Sequence, residues 1–491
     1  MTPYRQLEVL FRRIEALEEV VRVLDWDSAV MMPTGGAGAR AEQMAALRLI
    51  VHRELCAPGI GELLAEAGSE DPWEKANLRE MRRRHAHAAA LPAALVDAMS
   101  RSRSECETVW RSARAGNDFA AARGVLERMV ALKREAASCK AERLGVSPYE
   151  TLLDQYEPGC SSALIDRLFD EIGRFLPDLI EAALCRQAAQ PAPTLPGPFP
   201  MTAQRQAIKA LMKQLGFDFS HGRLDTSLHP FCGGVPEDVR ITTRYDEADL
   251  SMALMSALHE TGHALYKRAL PARWRLQPVG GARGMAIHES QSLLIEMQIC
   301  RSRAFCVFAA PILAAAFGGS GAPWEPEAFY RRQIAVRRGL IRVEADEVTY
   351  PAHVILRYRL ERAMIAGELR PADLPGAWAE GMRSLLDVAP PTDREGCLQD
   401  IHWYDGFWGY FPTYTLGALI AAQLFAAAGG AIPELDGKIS AGEFAPLIAW
   451  LGELVHGKGS LLSTAQLVEA ATGEPLGTTA FENHLRNRYL G

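Results

Sequence analysis

Apolar side chains recur at helical spacing along most of the chain. They stand three or four positions apart, which places them on one face of a helix. The stripe nearest the N-terminus consists of Leu7, Leu10, Phe11, Ile14 and Leu17. Leu, Ala, Arg and Glu, which favour helices, are abundant as far as about residue 185. The pattern therefore predicts a nearly continuous series of helices over residues 4–185.

Three segments interrupt the helical pattern. A turn is predicted at residues 33–36, where a proline and two glycines oppose a continuing helix. Residues 189–200 carry five prolines and are expected to form an extended connector. Residues 224–245 combine Pro and Gly with a β-branched run, which predicts a small hairpin or irregular sheet.

The predicted fold class is all-α with a very small β element near residues 224–245. Helices resume after residue 246, and no repeat of fixed period is visible. Strand and helix patterns do not alternate, which opposes a Rossmann or barrel fold. We expect residues 1–491 to form one domain with two lobes, divided by the connector into residues 1–200 and 201–491.

Composition and charge narrow the class of protein. The chain has 48% hydrophobic and 23% charged residues, as expected of a globular protein, and its net charge of −7 gives no general attraction to nucleic acid or anionic lipid. Two apolar runs, at residues 304–318 and 416–427, are shorter than the roughly 20 residues of a membrane-spanning helix. We interpret both runs as buried core helices and expect neither a nucleic-acid partner nor a membrane.

Cysteine usage and the N-terminus indicate the compartment. The nine cysteines are odd in number, scattered and never spaced as CxxC, which opposes a disulfide framework and a cysteine-bound zinc site. Charged residues appear within the first eight positions, so no secretory signal is recognised. These features predict a cytoplasmic protein.

The segment at residues 249–266 carries the candidate chemistry. Its apolar spacing predicts an amphipathic helix, on which His259 and His263 stand one turn apart on the same face. Two imidazoles in this arrangement can bind one metal ion, and Glu260 lies beside it to hold a water molecule. This is the HExxH arrangement of zinc peptidases. Because the short motif also occurs by chance, a third ligand is needed to support it.

A third ligand is available after a glycine-rich loop. His288 and Glu289 open another helix-like stretch, which would cross the first helix after a chain reversal. A catalytic zinc ion takes three protein ligands and keeps a fourth position open. Spacing alone allows either residue to be that ligand.

Five motifs together make the sequence resemble the M32 family of zinc metallocarboxypeptidases, the carboxypeptidase Taq type. They are DxRxT at 238–242, HExxH at 259–263, HESQ at 288–291, IRxxAD at 341–346 and GxxQDxHW at 396–403. Further segments at 24–27, 32–33, 229–231 and 409–412 are also similar. The resemblance extends over nearly the whole chain.

The resemblance implies an architecture and an activity. It implies Glu289 as the third metal ligand, Glu260 as general base, and removal of single residues from the C-terminus of peptides. It also implies a two-lobed helical fold with a deep central groove, similar to neurolysin and angiotensin-converting enzyme, and a homodimer. Residues 1–200 would then contribute a groove wall and residues 201–491 the catalytic lobe.

An exopeptidase of this type must bind a free α-carboxylate, and arginine offers paired donors for that group. Arg342 is the candidate; the competing interpretation is a salt bridge to Asp346 on one helix. Arg240 is a second candidate, either limiting substrate length or anchoring a strand.

Further candidates lie in aromatic or turn segments. His402 and Tyr410 are candidates to stabilise the tetrahedral intermediate, against the alternative that their aromatic segment is simply packed core. Tyr414 and His229 are candidate substrate contacts, and His229 has the alternative role of capping a turn.

The predicted protein is a carboxypeptidase with one Zn²⁺ per chain, acting on peptides with a free C-terminus. Co²⁺ and Mn²⁺ are alternative metals for the same ligands. One rival is a zinc endopeptidase or dipeptidyl carboxypeptidase with the same site. Another is a non-catalytic helical protein with structural zinc, which Glu260 opposes because structural sites lack an adjacent base.

Overall fold

The structure, a computed structural model, describes residues 1–491 and contains 20 α-helices and one three-stranded sheet. The first nine helices are α1 (Pro3–Val30), α2 (Ala37–Leu55), α3 (Ile60–Glu66), α4 (Pro72–Ala89), α5 (Ala93–Gly116), α6 (Phe119–Leu144), α7 (Pro148–Leu153), α8 (Ser162–Ala189) and α9 (Met201–Gln214). The others are α10 (Leu250–Arg268), α11 (Met285–Leu293), α12 (Arg303–Phe317), α13 (Pro326–Gln333), α14 (Tyr350–Ala366), α15 (Leu374–Leu386), α16 (Pro412–Ala431), α17 (Leu435–Ser440), α18 (Ala445–Leu454), α19 (Thr464–Thr472) and α20 (Thr479–Leu490). The predicted all-α class with a very small β element is confirmed.

The predicted breaks in the N-terminal part are also confirmed. A short 3₁₀ helix, Thr34–Gly36, separates α1 from α2. Residues 191–200 have no regular secondary structure, as expected of a proline-rich connector. In the predicted stripe of α1, Leu7, Phe11 and Ile14 are fully buried, so the apolar spacing correctly identified the inward face of the helix.

The sheet consists of β1 (Gly222–Thr226), β2 (Cys232–Val235) and β3 (Asp238–Thr243) in the order β1-β3-β2. β2 and β3 form the predicted antiparallel hairpin, whereas β1 pairs with β3 in parallel. The hairpin requires glycine at position 234, where φ is +74° and a β-carbon would lie 2.1 Å from the carbonyl oxygen of Asp238. The parallel third strand adds to the hairpin that the sequence predicted.

The chain divides into two compact units, each built from three separated segments. The first consists of Met1–His85, Pro191–Gln333 and Gly417–Leu476. The second consists of Ala86–Gln190, Ile334–Leu416 and Gly477–Gly491. Both units therefore combine residues from before and after the connector.

In the first unit, α10 packs against α11, β3 and a π-helix that follows α11, Leu294–Cys300. Asp249 caps the start of α10 by accepting a hydrogen bond from the backbone N–H of Ser251 at 2.8 Å. Gly262 lets α10 and α11 touch, because a β-carbon there would lie 2.4 Å from the carbonyl oxygen of Gln291. The close contact fixes the relative position of the two helices that carry the HExxH and HESQ motifs.

In the second unit, α14 is a buried helix that carries charged side chains. Arg357 and Glu361 have no solvent-exposed surface, and α14 packs against α6, α7, α8 and α15. Buried charges require partners, because removing an ionised group from water is costly. Both residues have partners in the segment that precedes α16, at residues 399–409, and Glu361 also accepts a hydrogen bond from Tyr149 on α7.

Helix α16 is longer than the apolar run seen in the sequence. It spans 20 residues and contains an 18-residue window with a mean hydropathy of 1.4, long and apolar enough to cross a membrane, but 56% of that window is buried inside the protein. A bent pair formed by Pro278–Cys300 and Arg303–Phe317 passes the same test with an angle of 76°. Buried core helices have the same length and composition, which agrees with the interpretation of both apolar runs.

Candidate metal centre and substrate-binding residues

His259, His263 and Glu289 converge in the first unit. One potential ligand atom from each lies within 4.8 Å of the others. His259 Nε2 is 3.9 Å and His263 Nε2 is 3.5 Å from the carboxylate oxygens of Glu289. Both imidazoles thus direct Nε2 toward the same carboxylate, and the three side chains form the donor set expected of a site for a divalent cation.

Hydrogen bonds to the other ring nitrogen orient each imidazole. His259 Nδ1–H donates to Glu296 Oε2 at 2.9 Å, and His263 Nδ1–H donates to the carbonyl oxygen of His288 at 3.1 Å. Glu296 is held in turn by Arg301, whose guanidinium donates to Oε1 at 2.7 Å. A histidine that ligates a metal commonly donates its second N–H in this way, which fixes both tautomer and ring orientation.

His288 occupies a different position from Glu289. Its ring stacks on His263 with the centroids 4.2 Å apart and an interplanar angle of 14°. Burial lowers the pKa of His288 well below its ordinary value. Its backbone carbonyl orients His263, while the adjacent Glu289 points its carboxylate at the two Nε2 atoms.

The charges of the site suit a cation. Burial raises the pKa of Glu260, which is 7% exposed. Burial alone would lower the pKa of His259, but Glu296, Glu289 and Glu260 outweigh burial and raise it to about 10. Three carboxylates around two imidazoles therefore attract positive charge, and a divalent metal would take the place of a proton on His259.

Arg342 lies in the second unit, almost completely buried. Its Nε and Nη2 donate to Asp400 Oδ1 at 3.0 and 2.7 Å, and Nη1 donates to the hydroxyl of Tyr350 at 2.8 Å. Asp400 also accepts from Nε of Arg357 at 2.6 Å, and the two guanidinium groups hold the pKa of Asp400 far below its ordinary value although burial opposes them. The QD pair of the GxxQDxHW motif thus fixes Arg342, since Gln399 accepts from its backbone N–H.

The competing interpretation of Arg342 as a helical salt-bridge partner of Asp346 is wrong. Residues 342–344 form a short 3₁₀ helix that ends before Asp346. Asp346 instead accepts hydrogen bonds from the backbone N–H of Arg337 and from the Thr349 hydroxyl. Arg342 takes its carboxylate partner from a segment 58 positions away in the sequence.

His402, Tyr410 and Tyr414 lie together in the second unit. His402 Nε2 is 3.3 Å from the Tyr414 hydroxyl, and the His402 and Tyr410 rings are 5.9 Å apart. Burial and the charge of Arg342 lower the pKa of His402 to about 3, so its imidazole is neutral near pH 7. The aromatic segment is both packed core and the support of these polar groups, because Trp403 and Trp408 are buried and stacked.

Arg240 and His229 lie near the small sheet in the first unit. Arg240 donates to Asp238 at 2.6 Å, and its guanidinium lies 4.3 Å from the ring centroid of Trp26. Arg223, its partner across the parallel strands, covers the same ring at 5.0 Å. His229 is exposed, and its carbonyl oxygen accepts a hydrogen bond from the Ser227 hydroxyl.

Four residues with site contacts were not singled out from the sequence: Glu296, Asp400, Arg357 and Glu361. Asp400 was recognised as part of the GxxQDxHW motif, but the sequence did not show that its carboxylate joins two arginines. Glu296 stands seven positions after Glu289, in the π-helix Leu294–Cys300, and its contact with His259 joins residues 37 positions apart in the sequence. The sequence did not single out Arg357 and Glu361, because α14 also carries charged residues that are exposed, such as Arg359.

Comparisons with known proteins show which family the chain resembles over its whole length. The sequence profile of the carboxypeptidase Taq (M32) metallopeptidases matches residues 6–489. Thermostable carboxypeptidase 1 of Thermus thermophilus is 38% identical over 100% of this chain and 99% of its own length. Carboxypeptidase 1 of Bacillus subtilis is 32% identical over 98% of this chain and 96% of its own.

Solved structures of carboxypeptidases also superpose on the whole chain. Metallocarboxypeptidase 1 of Trypanosoma cruzi superposes with a TM-score of 0.97 at 39% identity, covering 100% of this chain and 99% of its own. The Pyrococcus furiosus carboxypeptidase superposes with a TM-score of 0.93 at 33% identity, covering 100% and 99%.

Proposed function

The chain belongs to the M32 family of metallocarboxypeptidases, and we propose that His259, His263 and Glu289 hold its catalytic metal, with one Zn²⁺ per chain. As a member of this family it is a metal-dependent hydrolase that removes residues from the C-terminus of peptides. The single observation that supports the metal assignment most strongly is the convergence of the three donor atoms within 4.8 Å. Co²⁺ and Mn²⁺ suit the same nitrogen and oxygen donors, so zinc is chosen on the donor set and the family.

Glu260 is the proposed general base. When bound, the metal lowers the pKa of a water molecule and polarises the scissile carbonyl. The Glu260 carboxylate accepts the proton of the attacking water and then returns it to the leaving amine. Its burial and raised pKa suit both transfers, because they bring its proton affinity closer to neutral pH.

Arg342 is the proposed site for the C-terminal carboxylate. Of its five N–H donors, three are used by Asp400 and Tyr350. One N–H remains on each of Nη1 and Nη2, which is the pair that a carboxylate accepts in bidentate fashion. Asp400 and Tyr350 hold the guanidinium so that little entropy is lost when the substrate binds.

His402 and Tyr410 are the proposed donors to the oxyanion of the tetrahedral intermediate, and Tyr414 a substrate contact beside them. A neutral imidazole and a phenol can both donate a hydrogen bond to a developing negative charge. The lowered pKa of His402 supports the neutral form. Arg240 is proposed to bind substrate and limit its length, with its Asp238 and Trp26 contacts keeping it in place, and His229 is proposed to contact substrate.

The remaining proposals concern the domain organisation, oligomeric state and location of the protein. We expect residues 1–491 to act as one peptidase domain, with residues 1–200 forming a groove wall and residues 201–491 the catalytic lobe. A two-lobed helical fold with a deep central groove, similar to neurolysin and angiotensin-converting enzyme, would suit a peptide substrate. A homodimer is proposed from the family resemblance, and a cytoplasmic location from the odd number and scattered positions of the cysteines.

The proposed mechanism is tested with Glu260→Gln, on a peptide with a free C-terminus and on the same peptide as an amide. We expect Glu260→Gln to lose at least roughly a hundredfold in kcat while retaining its metal, and the amide to be nearly inert with the unaltered enzyme. Glu70→Gln, at a fully exposed residue, is the matched control. Activity of Glu260→Gln within about tenfold of the unaltered enzyme would contradict the general-base role.

Product analysis of the same digest separates the alternatives. Release of single residues supports a carboxypeptidase, whereas dipeptides or internal cleavage would indicate a dipeptidyl carboxypeptidase or an endopeptidase. Activity that is unaffected by a chelator would show that the reaction does not depend on a metal ion.

A further inference from the structure

Glu361 on α14 is a buried carboxylate with three hydrogen-bond donors and no surface exposure. Its Oε1 accepts from the Tyr149 hydroxyl at 2.6 Å and from the backbone N–H of Gly409 at 2.7 Å. Its Oε2 accepts from the indole Nε1–H of Trp403 at 2.8 Å. The donors come from α7 and from the segment between Asp400 and α16, so one side chain joins three elements of the second unit.

Two of the three donors adjoin the proposed oxyanion donors. Trp403 directly follows His402, and Gly409 directly precedes Tyr410. The carboxylate of Glu361 therefore fixes both ends of the segment 403–409. A shift at either end would move the neighbouring catalytic candidate with it.

The backbone at Gly409 has a conformation and a close packing contact that favour glycine. Its φ is +84°, and a β-carbon there would lie 2.6 Å from the backbone of both Leu152 and Leu153 on α7. Only glycine allows the chain to pass so close to α7 while turning its N–H toward Glu361. The same helix supplies Tyr149, so α7 supports Glu361 and Gly409 together.

A structural role alone does not require a carboxylate at this position. No arginine or lysine is bonded to Glu361, and burial raises its pKa to about 7 in spite of the three donors. A buried carboxylate without a cation destabilises the folded protein relative to an apolar side chain of similar size. What the carboxylate supplies is the ability to accept three hydrogen bonds from fixed directions.

We propose that Glu361 is a positioning residue that sets the locations of His402 and Tyr410 for stabilisation of the transition state, an inference that rests on the proposed roles of those two residues. It touches neither substrate nor metal in this account. It acts through Trp403 and Gly409, and its effect should appear in transition-state binding more than in product binding.

The test compares two dissociation constants in Glu361→Gln, measured by calorimetry on the metal-loaded enzyme. One probe is a peptidyl phosphonate, which resembles the tetrahedral intermediate, and the other is the shortened peptide product. A Gln amide keeps one acceptor oxygen but turns its NH₂ toward one of the donors. We expect the phosphonate to bind roughly tenfold more weakly and the product to change less than about twofold. A loss of folded protein alters the binding stoichiometry but not the dissociation constants. Comparing the changes in the two dissociation constants therefore separates a positioning role of Glu361 from an effect on protein stability.

Matched variants complete the design. Glu368→Gln, exposed just beyond α14, should leave both constants unchanged. Adding Trp403→Phe to Glu361→Gln removes the donor that opposes the amide NH₂ and should recover part of the phosphonate affinity. If Glu361→Gln does not fold, Tyr149→Phe, which deletes one donor, takes its place, with an expected phosphonate-selective loss of about threefold.

The outcomes distinguish this inference from the proposed function. Equal weakening of both probes, or no weakening of either, in the folded variant would overturn the role of Glu361. If Tyr410→Phe and His402→Ala weaken the phosphonate but Glu361→Gln does not, only the present inference is wrong. If neither Tyr410→Phe nor His402→Ala weakens it, the oxyanion roles are wrong, and the inference about Glu361 fails with them.

Discussion

Gly417 on α16 lies directly against the side chain of Glu289. A β-carbon at position 417 would stand 2.9 Å from both Cβ and Cγ of Glu289, closer than real β-carbons approach other atoms. Glu289 therefore has its position because α16 presents no side chain there. A glycine far from the HExxH motif in sequence shapes the proposed metal centre.

Gly417→Ala should displace Glu289 and weaken metal binding roughly tenfold, measured by competition with a chelator. Gly429→Ala, on the same helix with no atom within 4 Å of the added carbon, is the control. The control should retain metal affinity and slightly gain stability, because alanine favours helices. Equal metal affinities in the two variants would contradict the packing argument.

Glu296→Gln should weaken metal binding roughly 10- to 100-fold, because His259 loses the charged acceptor that orients Nδ1. The Arg301 guanidinium would also lose its carboxylate. Metal content after dialysis against a graded chelator series measures the effect. Glu327→Gln, which alters a surface ion pair with Arg303, should bind metal as tightly as the unaltered protein. An equal loss of metal affinity in Glu327→Gln would contradict the proposed role of Glu296 in orienting His259.

Arg342→Lys should reduce the preference for a free C-terminus over a C-terminal amide by roughly 10- to 100-fold, because lysine cannot present the paired donors. The measurement is the ratio of kcat/KM for the two peptides, which is independent of the active fraction. Arg359→Lys, about half-exposed on α14, is the control. An unchanged ratio in Arg342→Lys would assign carboxylate recognition to another residue.

Glu347 anchors the C-terminal helix α20 through His484, Arg488 and Tyr489. Burial alone would raise its pKa, but these partners lower it from 4.5 to about 2. Because the folded pKa is depressed, the stabilisation is present above pH 4.5 and is lost as the pH falls toward 2. In Glu347→Gln the unfolding free energy should depend less on pH across this window, by up to about 3 kcal/mol.

Urea unfolding at several pH values checks this prediction. Glu443→Gln, at an exposed residue, should retain the pH dependence of the unaltered protein. A Glu347→Gln curve parallel to that of the unaltered protein would show that Glu347 does not titrate as described.

Local patterns in the sequence predicted the helices, the connector, the hairpin and the HExxH spacing, because each depends on residues near one another. The stripe of α1 and the turn after Pro33 belong to this group. The open choice between His288 and Glu289 could not be resolved by spacing, since adjacent residues differ only in the direction of their side chains. Family resemblance favoured Glu289, and the structure shows what each of the two contacts.

Contacts between residues far apart in the sequence could not be predicted from local patterns. Arg342 pairs with Asp400 rather than with the nearby Asp346, and Glu361 bonds to segments far from α14 in sequence. The contact of Glu296 with His259 joins residues 37 positions apart, which no short pattern encodes. Parallel pairing of β1 with β3 likewise depends on a connection through β2.

Metal content of Glu289→Ala and His288→Ala, after removal and readdition of Zn²⁺, tests the proposed metal centre most directly. His288→Ala keeps the backbone carbonyl that orients His263 and should bind one equivalent of zinc, whereas Glu289→Ala should lose stoichiometric binding. Full metal retention in Glu289→Ala together with its loss in His288→Ala would contradict the assignment of Glu289 as the third ligand.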